Sequence, residues 1–568
     1  MKPSIAEPRA ASLNVSGENV AGMDVAFSWK VAEAAEASQA APLGALYRSA
    51  SRLEAFWWHP ILHSYSAQTA LMLVMLSVCA LRAWIGLSGM QTFCHDAFMP
   101  LDGAWRLLNG QRPHIDFYSY IGVLAYAPTA AGLLLSHGGA QGFGYGQALA
   151  GGMLGVWTFL LARKRLPGVP AVLFCLAMVL LCTAPFAMGY SPLNISPANT
   201  YNRYGYAALA LILLEAVAHS PRFTKLQDRL GGISTGSLIA LLAFQKITFF
   251  GAAIFLLGAL AFCRTQTARR WAGIGLGFSS VTLAFCAYFG FHLMPMLQDL
   301  IMVAGGKRIH ARAYLLDSIL AEAAALGCFV LMTTLLLALH NRISASRSIG
   351  IAGAAVCFAG ILLVFGNFES HGAPLALFFV LIALSQLSFR TNGASQLLRG
   401  GVLLWGTVII IAALLPDGLA FGYATALRIA ASPHEKPMAG NNLASFVPVS
   451  NGIEYGTFVN DGMVLLNAYR LPGDTVMSLD FTNPFSYGLG MKPARGGTTA
   501  LHYQTTFNDQ HRPTAEWLFG SAKLVMVPKI FSDPSLDDSI PRLYGPYLES
   551  HFRMLAESPQ WKLYRSRI

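Results

Sequence analysis

Charge is what this sequence has least of. Only 12% of its 568 residues are Asp, Glu, Lys or Arg, about half the ~25% of an ordinary soluble domain. So few charges cannot cover a water-facing surface, which excludes a soluble globular protein. The eight cysteines show no CxxC or other metal spacing. Cys79, Cys175, Cys182, Cys263, Cys286, Cys328 and Cys357 lie in or at the ends of apolar runs, where cysteine packs as a small hydrophobe. Cys94 alone falls in a polar loop, so the exposed segments offer no disulfide pair. There is no Gly-rich nucleotide loop and no solenoid repeat. The net charge of +11 comes without a basic stripe interleaved with aromatics, which argues against nucleic acid. Residues 1–50 lack the apolar core of a signal peptide. They read as the bulk of a disordered cytoplasmic tail, 1–60.

What the chain does have is apolar length: 54% of it is hydrophobic. The expected fold is a polytopic α-helical membrane protein of about eleven transmembrane helices plus juxtamembrane helices. Span one is 67–87, and Arg48 and Arg52 before it place the N-terminus inside. The run 120–137 is nearly long enough to cross. A crossing there would put Arg163-Lys164-Arg165 outside and invert every later basic loop, so this run reads as a re-entrant or surface-lying helix. Spans follow at 143–162, 168–187 and 204–219. From Gly231 to Cys263 the chain is apolar for roughly 33 residues, about 50 Å as a helix against a ~30 Å bilayer core. Both flanks are basic, so this stretch reads as a hairpin of two short helices with Gln245-Lys246-Ile247-Thr248 at its tip. Spans at 272–292, 317–339, 349–365, 373–389 and 400–420 complete a membrane module over 61–422. Its external loops are 88–142, 188–203, 293–316 and 366–372. Residues 423–568 hold no 18-residue apolar run. Strand-like segments at 475–481, 523–528 and 561–565, and a helical 542–552, predict a small extracytoplasmic (periplasmic) α/β domain.

In this topology the polar residues gather at the outer face. They are His95, Asp96, Asp102 and Asp116 from loop one, Tyr201 and Arg203 from loop two, and Lys246 from the hairpin. Lys307, Arg308 and Arg312 come from loop three, and Glu369 and His371 from the last turn. A carboxylate beside several cations, at the mouth of apolar helices, suits an enzyme of lipid-linked phosphates. Cations neutralise the leaving phosphate, a carboxylate takes the acceptor's proton, and apolar walls hold the lipid chain. Each residue also has a plainer role. Asp96 could cap a loop helix and Asp102 a helix N-terminus; Asp116 could close a turn. Lys246 could snorkel, Arg203 could meet a lipid headgroup, and the 307–312 cluster, Glu369 and His371 could be solvated loop residues. His95 has no second His or Cys at metal spacing, so it reads as a neighbour that orients Asp96.

Loop one carries a longer pattern: His95-Asp96, then Asp102-Gly103-Ala104-Trp105-Arg106-Leu107-Leu108-Asn109-Gly110-Gln111-Arg112-Pro113-His114-Ile115-Asp116-Phe117. It resembles the first external loop of the integral-membrane glycosyltransferases of the GT-C fold. That family uses polyprenyl-phosphate sugars and includes protein O-mannosyltransferases and the aminoarabinose transferases of lipid A. Asn202-Arg203-Tyr204, Gln245-Lys246, Asn483-Pro484-Phe485 with Tyr487, Leu489 and Gly490, and Ser521–Pro528 are also similar to such enzymes. The resemblance implies a GT-C-like enzyme of the plasma (inner) membrane, working on cell-envelope polysaccharide. Asp96 would be the base, and the sugar would be transferred with inversion. Lys246, Lys307, Arg308 and Arg203 would hold the polyprenyl phosphate, with Glu369 and His371 on the acceptor side. The acceptor would be a glycan, glycolipid or protein hydroxyl. Many relatives open loop one with an acidic pair, whereas this chain has His95-Asp96-Ala97. One carboxylate stands where two are usual, which leaves dependence on a divalent cation open. The rival readings are a transporter or flippase of lipid-linked sugars and a scaffold of a polysaccharide assembly complex. A transporter calls for paired interrupted helices, and only the 231–263 hairpin is interrupted.

Overall fold

The computed structural model describes residues 61–218, 224–261, 267–306, 346–367, 374–386, 393–430 and 437–567, with a few short pieces between them. Nearly all of the expected span 317–339 and of the expected tail 1–60 lies outside these residues. Helix α1 (Tyr65–Ile85) opens at Ser64, whose Oγ accepts from the Ala67 amide at 3.1 Å. A two-residue-paired strand β1 (Ser88–Met90) and helix α2 (Phe98–Leu108) follow, then α3 (Ala127–Leu135). At nine residues α3 is far too short to cross a bilayer, so the 120–137 run does not span. Helices α4 (Gly142–Arg165), α5 (Gly168–Thr183) and α6 (Thr200–Val217) come next.

The apolar stretch after Gly231 breaks into α7 (Lys225–Ala243) and α8 (Ile247–Ala261), turning at Phe244–Lys246 as its length requires. The tip docks on loop one: the Gly122 amide donates to Gln245 O at 2.8 Å and the Leu124 amide to Phe244 O at 3.0 Å. Only glycine fits at 122, since a Cβ there would lie 2.0 Å from Phe244 O. Helix α9 (Ala268–Tyr288) packs along α7 through Gly232, Gly236, Gly273 and Gly277. Without side chains at these positions the two backbones approach closely. A Cβ on Gly236 would sit 2.0 Å from Ile274 O. Gly236→Leu must therefore push the helices apart. It is expected to destabilise the protein by about 1–3 kcal/mol, read as a lowered unfolding midpoint in detergent, whereas Gly258→Leu, in open space, should leave the midpoint where it is.

Residues expected as loop three contain a helix, α10 (Met294–Gly306). Its Met294, Leu297 and Ile301 are exposed while Asp299 and Gly306 are buried. Asp299 turns inward from this helix to the backbone of Ser119. Helices α11 (Ser346–Asn367), α12 (Pro374–Gln386) and α13 (Gly393–Ala430) complete the helical part. Helix α13 runs ten residues past the expected end of its span. By length and composition α1, α9 and residues 400–430 of α13 can cross a membrane, and α5, α8, α12 and residues 349–364 are shorter apolar helices. The chain is a polytopic helical membrane protein.

After 437 come β2 (Val447–Pro448), α14 (Gly452–Tyr469), β3 (Val476–Ser478), β4 (Leu524–Pro528), α15 (Leu536–His551), β5 (Phe552–Glu557) and β6 (Trp561–Ser566). Four of the strands form a sheet in the order β3-β4-β6-β5, with β3–β4 parallel and the other pairs antiparallel. The expected strands and the late helix are present; α14 and β5 had no matching expectation. This part does not stand apart from loop one. Strand β1 pairs with β2 in parallel, and one apolar core joins Leu87, Phe98 and Leu101 to Val476, Phe485, Leu524 and Trp561.

Candidate active site

Five parts of the chain converge on a cavity of about 610 Å3. Loop one contributes Phe93, His95, Asp96, Met99 and Tyr120. The start of α6 and the hairpin tip contribute Asn199, Tyr201, Lys246 and Thr248. Helix α10 gives an apolar wall of Leu300, Val303 and Ala304. The C-terminal part contributes Phe481, His502, Thr505, Thr506 and Asp533.

Asp96 sits in a single helical turn, Cys94–Ala97, placed by Phe93, which is held at φ 49. The Asp96 amide donates to Phe93 O at 3.0 Å. Asn199, across the cavity, is also left-handed at φ 56. Non-glycine residues in this region cost energy and gather at functional sites. The Asp96 carboxylate is 19% exposed and lies 3.7 Å from His95 Nε2. Burial pushes its pKa up, opposed by the nearby imidazoles of His95 and His502. A carboxylate less comfortable with its charge is a stronger base once ionised. The His95 ring makes edge contacts with Phe481 (4.9 Å) and Tyr455 (5.8 Å).

Lys246 donates to Asn202 Oδ1 at 3.0 Å, and its ammonium lies 5.0 Å from the centre of the Tyr201 ring. The Tyr201 carbonyl accepts from Gln245 Nε2. The hairpin tip is thus tied to α6, with its ammonium group on the cavity. His502, from the C-terminal part, lies 3.5 Å from Asp533 Oδ2. Burial pushes its pKa down, opposed by Asp533 and Asp96. The loop carrying Asp533 is held by Asp480, which accepts from the Ser532 amide at 2.8 Å and from the Ser532 hydroxyl.

Not every expected site residue reaches the cavity. Asp102 is fully buried, pairing with Arg106 Nε at 2.8 Å. It is not a helix cap either, since α2 begins four residues earlier. Asp116 closes a turn: its Oδ2 accepts from the Arg112 amide at 2.8 Å, and Arg495 Nε lies 3.9 Å from Oδ1. Arg203 is buried and not in the cavity lining, donating to Leu181 O and Phe186 O, with Asp417 at 3.7 Å. Lys307, Arg308, Arg312, Glu369 and His371 lie outside the described residues. His502, Asp533 and Tyr120 had no signal in the sequence, being single polar residues in unpatterned stretches. Among the described residues no three His, Cys, Asp or Glu side chains converge as a metal site would require.

Among solved structures, the chain is similar to ArnT from Cupriavidus metallidurans in the apo state, at 13% identity and a TM-score of 0.47, covering 88% of this chain and 98% of that one. It is similar also to the same protein bound to undecaprenyl phosphate, at 12% identity and a TM-score of 0.45 over the same shares. No protein-family model and no curated protein matches the chain.

Proposed function

We propose that this protein is a GT-C-type membrane glycosyltransferase of the plasma (inner) membrane. It moves a sugar from a polyprenyl-phosphate donor to a glycan, glycolipid or protein hydroxyl at the extracytoplasmic face. The observation that carries the reading is the placement of Asp96 and Lys246 in the wall of one cavity whose third side is the apolar face of α10. A charged phosphate, a reacting hydroxyl and a hydrocarbon chain each find a complementary wall there. The pattern of loop one supports the same reading.

The acceptor oxygen attacks the anomeric carbon from the side opposite the phosphate, and its proton passes to Asp96. The bond from that carbon to the phosphate oxygen breaks, its electron pair leaving with the polyprenyl phosphate, so the configuration inverts. Lys246 stabilises the charge that collects on the phosphate. His95 keeps the Asp96 carboxylate aimed, and His502 adds a second polar group on the opposite wall.

The test uses purified full-length protein in nanodiscs and liposomes, with polyprenyl-phosphate hexose and pentose donors labelled in the sugar and a cell-envelope glycolipid and glycan extract as acceptor. Wild type is expected to move label from donor to acceptor. Lys246→Met should lower kcat/KM for the donor roughly tenfold or more, the scale of a lost charge-assisted hydrogen bond, with kcat falling as well because the charge on the phosphate grows in the transition state. Movement of intact donor across the liposome bilayer without transfer would replace this reading with transport.

A further inference from the structure

A second cavity, of about 460 Å3, lies on the other side of His95. The two cavities share Phe93, His95 and Ser532 in their walls, and the His95 ring is the partition between them. One side of it lies 3.7 Å from Asp96 Oδ1 and the other meets the Tyr455 ring. Helix α14 supplies Tyr455 and Phe458, and the loop after β4 supplies Phe531. Among the polar lining residues, Gln91 and Thr92 are occupied: Gln91 bonds to Tyr423 and the Ile195 amide, and Thr92 to Asn194. The side chains of Glu454 and Gln560 make no hydrogen bond to another described residue. Among the described residues no Lys or Arg lines this cavity, whereas Lys246 lines the first.

Aromatic faces with amide and carboxylate side chains between them match a sugar ring. The C–H face of a pyranose packs on an aromatic ring, and a carboxylate accepts from two neighbouring hydroxyls at once. A phosphorylated or carboxylated acceptor would bring its charge against Glu454 with no Lys or Arg in the lining to answer it. We infer that this cavity is the acceptor subsite and that it takes an uncharged saccharide, which presents one hydroxyl past the His95 ring to Asp96. The inference rests on the transferase reading and narrows its acceptor to a neutral glycan.

Full-length protein in nanodiscs is titrated with neutral gluco-, manno- and galacto-configured disaccharides, with their 6-phosphates, and with a Ser/Thr-rich peptide, read by saturation-transfer NMR. Binding of polyprenyl phosphate is measured separately. At least one neutral disaccharide is expected to bind in the millimolar range, and its 6-phosphate more weakly. Glu454→Gln, on the exposed face of α14, and Tyr455→Ala should each weaken that binding about tenfold, one interaction's worth. Neither should alter binding of polyprenyl phosphate. Lys246→Met should do the reverse. No binding by any neutral disaccharide, binding indifferent to Glu454→Gln, or preference for the phosphates or the peptide overturns the inference. Failure of wild type to bind polyprenyl phosphate counts against the transferase reading instead.

Discussion

Replacing Asp96 with asparagine is expected to slow sugar transfer at least about a hundredfold, the scale of a lost general base, while donor binding stays intact. Asparagine keeps the shape and the neighbours His95 and Phe93 but cannot take a proton. The pH dependence gives a second readout. Only ionised Asp96 accepts a proton, so wild-type kcat should rise with pH through a value above the ordinary carboxylate range, since burial raises that group. The residual activity of Asp96→Asn should lack this step. Stability moves the other way. A folded pKa above the unfolded one gives stability that is full at low pH and lost as pH rises through the folded pKa. Above its folded pKa wild type therefore carries a largely buried charge that the variant lacks. Asp96→Asn should unfold at a higher temperature than wild type above that pH, and the gap should close in acid. A site residue that destabilises its own fold is the signature of function; a structural cap would show the opposite sign.

Arg106→Ala is expected to cost about 3–5 kcal/mol, the penalty for stranding a buried charge. Arg106 is 1% exposed. It donates to Asp102 Oδ2 at 2.8 Å, Gln111 Oε1 at 3.0 Å, Ala494 O at 2.9 Å and Gly496 O at 3.0 Å, and lies over the Phe117 ring at 5.0 Å. One guanidinium thus clamps α2 to the 494–497 loop, which leads directly to Ala500 and His502 in the cavity wall. Trp105 adds a bond to Met491 O at 2.8 Å. Lysine cannot serve four acceptors in this fork, so Arg106→Lys should recover little. Burial already pushes the Asp102 pKa up against the pull of Arg106, so without Arg106 the carboxyl is expected to take a proton. Arg106→Met combined with Asp102→Leu, which removes both charges, should regain much of the loss. The checks are the thermal unfolding midpoint and hydrogen exchange of the 491–506 segment, which should be faster in Arg106→Ala than in the double variant.

The parts of this architecture that obey a strong local rule were legible from residues alone. The hairpin at Lys246 followed from an apolar stretch too long for a bilayer with basic residues at both ends. Asp96 stood out because it follows span one directly. What escaped was direction. Arg203 was expected in loop two, but it lies in the first turn of α6 and its side chain turns inward to the carbonyls of Leu181 and Phe186. The stretch expected as loop three is a helix whose Asp299 turns inward, accepting from the Ser119 amide at 3.1 Å and pairing with His114 at 2.9 Å. That pairing makes α10 a wall of the cavity. His502 and Asp533 could not be singled out, because only the folded backbone brings them opposite a residue some four hundred positions earlier.

The pairing of β1 with β2 has a consequence in time. Ser88 meets Val447, and the Tyr118 hydroxyl meets Thr506 O at 2.7 Å. A ribosome adding ~5–20 residues per second needs about 20–70 s to make the chain between β1 and its partner. Throughout that interval Leu87, Phe98 and Leu101 lack the late partners Val476, Phe485, Leu524 and Trp561 of their core. Asp96 is thus among the first residues of the cavity wall to be made and among the last to be housed. Any break in the last hundred residues leaves behind an inserted protein with half a site.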